Sequence, residues 1–472
     1  MTSSFPHPNG TVPFWHLESQ ELHNFRSTPN LPDESDIVII GGGYSAAALV
    51  THIQKEYPNH PSILVLEARQ LCSGASGRNG GHIKPDPYLH ASEIAAQYGL
   101  AAGAEVADFE VANLNAAKEY IEREGVDCDF VVTRACDVHF SSSQDARIKK
   151  RLHNLKAAGV AAAQTVSEVG EDNAEIVSGV KGAKGCISYT AAHLWPYKLI
   201  HHMFTAALKR GGLNLQTNTC ATSVLPATNS QSSWVIQTNR GTVKASKVII
   251  ASNSYTPALL PEYREQIIPY RAVSCRIKTP NPAPLIVNTY ALRFKDWDFD
   301  YLIPRPDGSI VVGGARSAYF RNKDLWYNNT DDSEVMEETR KYFDGYMQRN
   351  FCGWEHSGAK VSEIWTGIMG YSRDKLPRLS PIPGKRGMFI MAGWTGHGMP
   401  QIFLAAKGMA DMVVKDVPYS GTGLPRVFEE TADRLQNAPN KVLESCGITV
   451  LEEHLMGSQE KREIESNCIA NC

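Results

Sequence analysis

The chain has 472 residues, 42% of them hydrophobic and 21% charged, with a formal net charge of −3. That length suits two or three domains or one large composite, and the near-neutral balance gives no reason to expect nucleic acid or an anionic membrane as partner. No apolar run approaches the ~20 residues that span a bilayer. The start, Met1-Thr2-Ser3-Ser4-Phe5-Pro6, lacks the basic and apolar regions of a secretion signal, so a cytoplasmic protein is expected. Ten scattered cysteines, with neither Cys-x-x-Cys nor zinc spacing, read as reduced thiols, and no metal site is expected.

Residues 1–34 form a Pro/Ser/His-rich lead-in. Its one aromatic cluster, Phe14-Trp15-His16, is more than a bare tail needs and is expected to pack on the body. A strand at 36–40 then enters Gly41-Gly42-Gly43, and a small-residue helix follows from Tyr44-Ser45-Ala46 to 57. A second apolar strand, 62–66, ends in Glu67. This is the strand–turn–helix–strand of a dinucleotide-binding unit, with Ala46 where the third glycine of G-x-G-x-x-G/A would stand. Gly41 permits the tight turn, Gly43 lets backbone N–H groups approach a pyrophosphate, and Ala46 keeps helix and strand close. The anion sits on the positive end of the helix. Glu67, 24 residues after Gly43, stands where an acid on the ribose hydroxyls is expected. The loop from Leu71 to Pro85 holds four glycines and many small polar residues, which would expose backbone N–H groups near the nucleotide.

From Leu89 to Gly125 the pattern is helical. Phe130–Val132 and Asp137–Phe140 read as strands, followed by a helix at about 143–158. A helix through Leu199–Lys209 stops at Gly211-Gly212. Strand candidates follow at 219–225, 232–238 and 242–245, and a fourth, 247–251, opens into Ser252-Asn253-Ser254. Ile267–Ile277 and Leu302–Gly313, the latter turning at Pro306-Asp307-Gly308, look antiparallel. A helix at about 332–350 and a strand at Val361–Met369 precede Met388–Ala392, which enters Gly393-Trp394-Thr395-Gly396-His397-Gly398-Met399 and a helix from Gln401 to Val414. Residues 417–472 are irregular and end in a charged tail.

Taken in order, GGGYSAAA, Glu67, GASGRNGGH, VIIASNSYTPALLP, WTGIMGYSRDKLPRLSPIPG and AGWTGHGM resemble the FAD-dependent D-amino-acid oxidase/glycine oxidase/sarcosine oxidase family, from about Trp15 to Val414. The SGASGRNGG loop is most similar to the branch containing γ-glutamylputrescine oxidase-like enzymes. The resemblance implies an α/β (α+β composite) fold: a Rossmann-like FAD-binding domain (1–88, 190–262 and 360–440), a discontinuous antiparallel-sheet substrate domain (89–189 and 263–359), and a tail (441–472). It implies FAD held at the pyrophosphate by Gly41, Gly43, Tyr44, Ser45 and Ala46, and at the adenosine ribose by Glu67 and Ala68. Ser73, Ala75 and Ser76 would lie along the pyrophosphate and flavin, and Gly80, Gly81 and His82 along the isoalloxazine. Asn253 and Ser254 would border the adenine side. Gly396, His397, Gly398 and Met399 would meet the pyrimidine end, where amides at the start of the 401–414 helix favour the negative charge of reduced flavin. The Gly-flanked backbone alone would serve there, with the His397 ring idle. Some relatives attach flavin through a cysteine shortly before the position of Tyr371-Ser372-Arg373-Asp374; here no cysteine occurs from 353 to 445, which excludes that link. His82 leaves a histidyl link open, and noncovalent FAD is expected.

The implied chemistry is oxidation of a C–N bond, with hydride passing to flavin N5, an imine as product, and molecular oxygen reduced to peroxide. Candidates for substrate contact are Tyr270, Arg271, Tyr301 and Arg305 on the strands facing the flavin, with His82 and Lys84 leaving the flavin loop. Arginine suits a bidentate carboxylate clamp; alternatively Arg271 and Arg305 make structural ion pairs. Trp365 and Trp394 either wall the pocket or simply pack. Arg373 replaces a small hydroxyl residue of relatives, making that wall more basic and favouring an acidic substrate group. Two other readings stay open: a flavin dehydrogenase passing electrons to a carrier, and a tailoring oxidase acting on a larger cyclic or N-hydroxylated amine.

Overall fold

The computed structural model describes residues 5–18, 21–227 and 233–444. Residues 445–472, with most of the charged tail and Cys446, Cys468 and Cys472, lie outside the described residues. Two sheets organise the chain.

The first is eight-stranded, and Glu34–Ile40 lies within it, parallel to Gly241–Ile250 on one side and to Ile63–Leu66 on the other. Leu213–Gln216 and Met388–Ala392 extend it in parallel, and Arg378–Pro381 closes one edge antiparallel. The run Ile37–Ile40 is buried throughout, as expected of a parallel strand covered on both faces. Side-chain alternation divides it: Ile37 and Ile39 face the helices Tyr44–Glu56, Pro196–Arg210 and Ile402–Lys415, while Val38 and Ile40 face the hairpin Ala221–Pro226/Trp234–Thr238. Ile40 is in register with Leu66 and Ile250, and Ile250 with Ile390. The loops leaving these strands therefore emerge together at one carboxyl edge, the usual ligand position of an open α/β sheet.

The second sheet is nine-stranded, running from Lys360–Ser372 through Ile267–Lys278, Ile310–Gly313, Phe299–Pro304, Thr289–Arg293, Val131–His139 and Gly185–His193 to His82–Ile83. It is antiparallel except where Thr289–Arg293 pairs with Val131–His139. Two of these segments, Lys360–Ser372 and His82–Ile83, fall in the sequence ranges expected to form the FAD-binding domain, yet they pair in the second sheet.

Several elements differ from their sequence patterns. The 89–125 helix is two, Leu89–Tyr98 and Leu100–Glu124, because Gly99 takes φ +90°. The helix expected at 332–350 shrinks to Glu337–Phe343 and Tyr346–Asn350, parted by Gly345 in the left-handed region. Val131–His139 is one strand rather than two, as is Gly241–Ile250. Short strands such as Thr289–Arg293 and Leu213–Gln216 gave no periodic signal and exist through their neighbours. Trp15 is fully buried: its indole donates to Asn79 O (2.6 Å), and its carbonyl accepts from the Trp195 indole (2.8 Å), pinning the N-terminal segment to the flavin loop. Among the described residues, no helix is long and apolar enough to cross a membrane.

Candidate active site

Gly41 has φ +118°, and a Cβ there would stand 2.6 Å from Ala251 O, so the turn after Glu34–Ile40 admits only glycine. The turn is locked by Glu67, whose carboxylate accepts from Gly42 N–H (2.7 Å) and Arg69 N–H (2.9 Å). Burial raises the Glu67 pKa despite these bonds. Asn253, in the left-handed region, uses its side-chain oxygen to accept from Gly393 N–H (3.0 Å) and Trp394 N–H (3.3 Å), tying two of the edge loops together.

These loops enclose a cavity of about 170 Å³ lined by Gly41, Gly43, Tyr44, Ser45, Glu67, Ala68, Ser73, Ala75, Ser76, Asn253, Ser254, Gly396, Gly398 and Met399. The residues fit a dinucleotide pyrophosphate. Ser73 Oγ is buried without a hydrogen-bond partner, and a Cβ on Gly43 would stand 3.0 Å from Ser76 Oγ, so glycine keeps the space clear. The start of Tyr44–Glu56 faces the cavity with no side-chain cap from Gly43.

A second cavity, about 340 Å³, shares Ala75, Asn79, Met369, Trp394, Gly396 and Met399 with the first. Gly80 and His82 form one wall; Tyr270, Tyr301, Tyr371 and Arg316 form another. A Cβ on Gly80 would fall 2.2 Å from the Tyr301 ring, so the flavin loop lies directly on that tyrosine. Burial, reinforced by Lys84 and His193, pulls the His82 pKa down to about 3, leaving the ring neutral with Nε2 unpartnered. Lys84 and Arg293 share buried Asp137 at 2.5 and 3.0 Å. Asp137 stays ionised well below the usual carboxylate range because the two cations outweigh its burial.

At the end expected to meet the pyrimidine, Gln401 and Ile402 N–H donate to Gly398 O, and Leu404 N–H to the Asn113 side chain. The His397 ring is not idle. Its Nε2 donates to Glu110 Oε2 (3.0 Å), and this fully buried carboxylate also accepts from Asp86 N–H and Gln401 Nε2, each at 2.7 Å. Burial opposes charge on both groups, but their attraction wins: His397 is raised above its ordinary value and Glu110 held well below. His90, Glu110 and His397 bring ligand-capable atoms within 4.8 Å of one another, yet both carboxylate oxygens already carry hydrogen bonds.

Other expected residues lie elsewhere. Arg305 is buried between the Trp15 and Trp195 rings (5.2 and 5.3 Å) and paired with Asp129, so it fastens the N-terminal segment instead of reaching the cavity. Arg271 follows Tyr270 on the strand and points to the opposite face, where it donates to Glu334 O (2.8 Å). Trp365 is fully buried, donates to Arg78 O (2.8 Å) and lines neither cavity. Ala46 packs between helix and sheet, and Gly81 supports the loop from behind, where a Cβ would meet Leu194 O at 2.7 Å. Arg373 lines neither cavity; Lys375 supplies the basic wall.

Sequence reasoning missed Arg316, Tyr371 and Glu110. Arg316 follows a turn at Ala315 (φ 58°); its guanidinium lies over the Phe299 ring (4.5 Å) and donates to Trp297 O and Tyr371 Oη. Nothing local marks it. Glu110 did carry a signal: a carboxylate on the same stripe as Val106, Ala107, Leu114 and Ala117, where charge is rarely buried unpaired.

A strand–glycine-turn–helix unit, an acid after its second strand, and a cavity running from that turn to the second sheet define a dinucleotide-dependent oxidoreductase of the flavin type. The chain belongs to the DAO family of FAD dependent oxidoreductases, which matches residues 36–412. It is 23% identical over 395 residues, 81% of this chain and 84% of the relative, to gamma-glutamylputrescine oxidoreductase of Escherichia coli K12. It is 22% identical over 379 residues to the probable oxidoreductase OrdL of Rhizobium meliloti, covering 78% and 80% of the two chains. Glycine oxidase from Geobacillus kaustophilus superposes with a TM-score of 0.66 at 18% identity, over 87% of this chain and 99% of that one. The L-amino acid deaminase of Proteus myxofaciens does so at 0.67 and 15%, over 92% and 100%. The protein is an FAD-dependent enzyme.

Proposed function

We propose that this enzyme oxidises the C–N bond of an amine or amino acid, with noncovalent FAD and with dioxygen as acceptor. The observation that carries the reading is the second cavity, where the flavin-loop residues Gly80 and His82 face Tyr270, Tyr301, Tyr371 and Arg316. Relatives named for gamma-glutamylputrescine and glycine support a nitrogen-bearing substrate. When bound, FAD supplies the two-electron acceptor: a hydride leaves the carbon bearing an uncharged amine, the resulting imine is hydrolysed, and dioxygen takes the electron pair as hydrogen peroxide.

The protein's own groups orient substrate and set charge. Arg316 offers a planar fork for a substrate carboxylate, stiffened by Phe299 beneath it and by Tyr371 beside it. Lys84 and Arg293, two cations sharing one carboxylate, disfavour an ammonium nearby and so favour the reactive uncharged amine. Neutral His82 lines this cavity without adding charge to it. Glu110 raises the proton affinity of His397 and so favours positive charge at the end assigned to the flavin pyrimidine.

The test is anaerobic bleaching of the flavin against D- and L-amino acids, N-methyl amino acids and polyamines, with peroxide measured in air. Bleaching by at least one class, followed by peroxide on aeration, is expected; no bleaching by any refutes the reading. Arg316→Met should raise Kd for carboxylate-bearing substrates by about 10- to 100-fold, the loss of a charge-assisted bidentate contact.

A further inference from the structure

Beyond the flavin cavity lies a larger outer cleft of about 610 Å³. His90, Glu93 and Lys375 line both spaces, so the partition between them is the Lys375–Glu93 ion pair (3.2 Å) and one imidazole. With its partners 26% and 44% exposed, such a pair is solvent-screened and opens cheaply. The inner cavity is small. At about 340 Å³ it sits near the bottom of the ~300–1,000 Å³ typical of ligand pockets, and it must take the flavin ring as well as the reacting carbon. A long substrate therefore has to leave through the partition.

The outer cleft is equipped to receive one. Its floor is apolar, with Ile94, Leu376 and the half-exposed Tyr98 and Leu100. Its charges do not cancel. Lys375 is answered by Glu93, and Asp374 by Arg434 at 2.6 and 2.9 Å. Arg151 and Lys441 make no ion pair among the described residues; the Lys441 ammonium donates to the neutral Gln97 side chain and Arg151 lies within reach of the Glu93 field.

We propose that the substrate is an elongated amine or amino acid whose far end carries a carboxylate, and that Arg151 and Lys441 bind this carboxylate in the outer cleft while the amine end lies at the flavin. This rests on the amine-oxidase reading above. The aliphatic spacer crosses the partition beside His90 and displaces the Lys375–Glu93 contact.

Calorimetric titration of the holoenzyme with Nε-succinyl-lysine and Nε-acetyl-lysine, each as both enantiomers, isolates the tail, because the two compounds share the same reacting end. The succinyl compound should bind about tenfold or more tighter, and Arg151→Gln/Lys441→Gln should abolish that difference while the protein retains its flavin spectrum. Charge reversal, Arg151→Glu/Lys441→Glu, should invert the preference. Equal binding of the two compounds, including no detectable heat from either, or a preference that survives the double substitution, overturns the proposal. Calorimetry needs no turnover, so a failure of the oxidase reading in the bleaching assay is read separately from a failure of the tail site.

Discussion

Glu110→Gln removes one charge from a buried pair and keeps the side chain's shape. The native carboxylate accepts from Asp86 N–H and Gln401 Nε2 at 2.7 Å and from His397 Nε2 at 3.0 Å. Stranding one partner of a buried pair costs ~3–5 kcal/mol. His397 is not fully stranded, because burial by itself lowers its pKa and the ring can shed its proton. The glutamine carbonyl still accepts one bond, but its NH2 faces groups that are themselves donors. The expected loss is therefore about 2–3 kcal/mol near pH 6, below the full penalty. For a chain of 472 residues, with ~1 kcal/mol/K of unfolding entropy, that is a fall of roughly 2–3 °C in melting temperature.

The pH dependence has a definite sign. A raised His397 pKa contributes stability that is present below its ordinary value of 6.5 and lost as pH rises through the folded value. A depressed Glu110 pKa contributes stability present above 4.5 and lost only as pH falls well below it. In the variant, burial lowers the His397 pKa, so stability is lost on acidification instead. The gap between the two proteins should thus be widest near pH 5–6 and shrink toward pH 9. Melting of both holoproteins across that range, followed by circular dichroism, measures it. The flavin midpoint potential should also fall, because the ring that lines the cavity loses its charge. A gap equal at pH 5.5 and 9, or no change in melting at all, refutes the reasoning.

Gly43→Val puts a branched side chain where even a Cβ stands 3.0 Å from Ser76 Oγ. The protein should fold with near-native circular dichroism but purify without visible flavin absorbance; a yellow variant would remove the pyrophosphate from this turn. Arg305→Met should cost about 1–3 kcal/mol, from lost stacking between Trp15 and Trp195 and from an Asp129 left unanswered. Its Kd for bleaching substrates should stay at the native value, and a large rise would return Arg305 to the substrate wall.

The nucleotide half was legible in the sequence because its chemistry is local. Gly41, Gly43 and Ala46 sit within one turn of one strand–helix unit, and Glu67 closes the next strand, so spacing alone carries the geometry. The two-sheet architecture followed from the resemblance, while Gly99 and Gly345, inside runs with a helical pattern, break those runs because each takes a positive φ.

The substrate half was decided by tertiary structure. Tyr270 and Arg271 are neighbours in sequence, yet strand alternation sends one to the cavity and the other to Glu334 on the far face, and register alone fixes which. Arg305 and Arg316 are the same residue type eleven positions apart; one is consumed by two tryptophans and an aspartate, the other lines the cavity. Glu110 and His397 are 287 residues apart, and neither has a settled charge until the fold buries them together. Sequence by itself determined the FAD-dependent class of the chain and singled out the glycine turn that a pyrophosphate would use. Which charges face the substrate is a property of burial and long-range contact, and those exist only once both sheets have met.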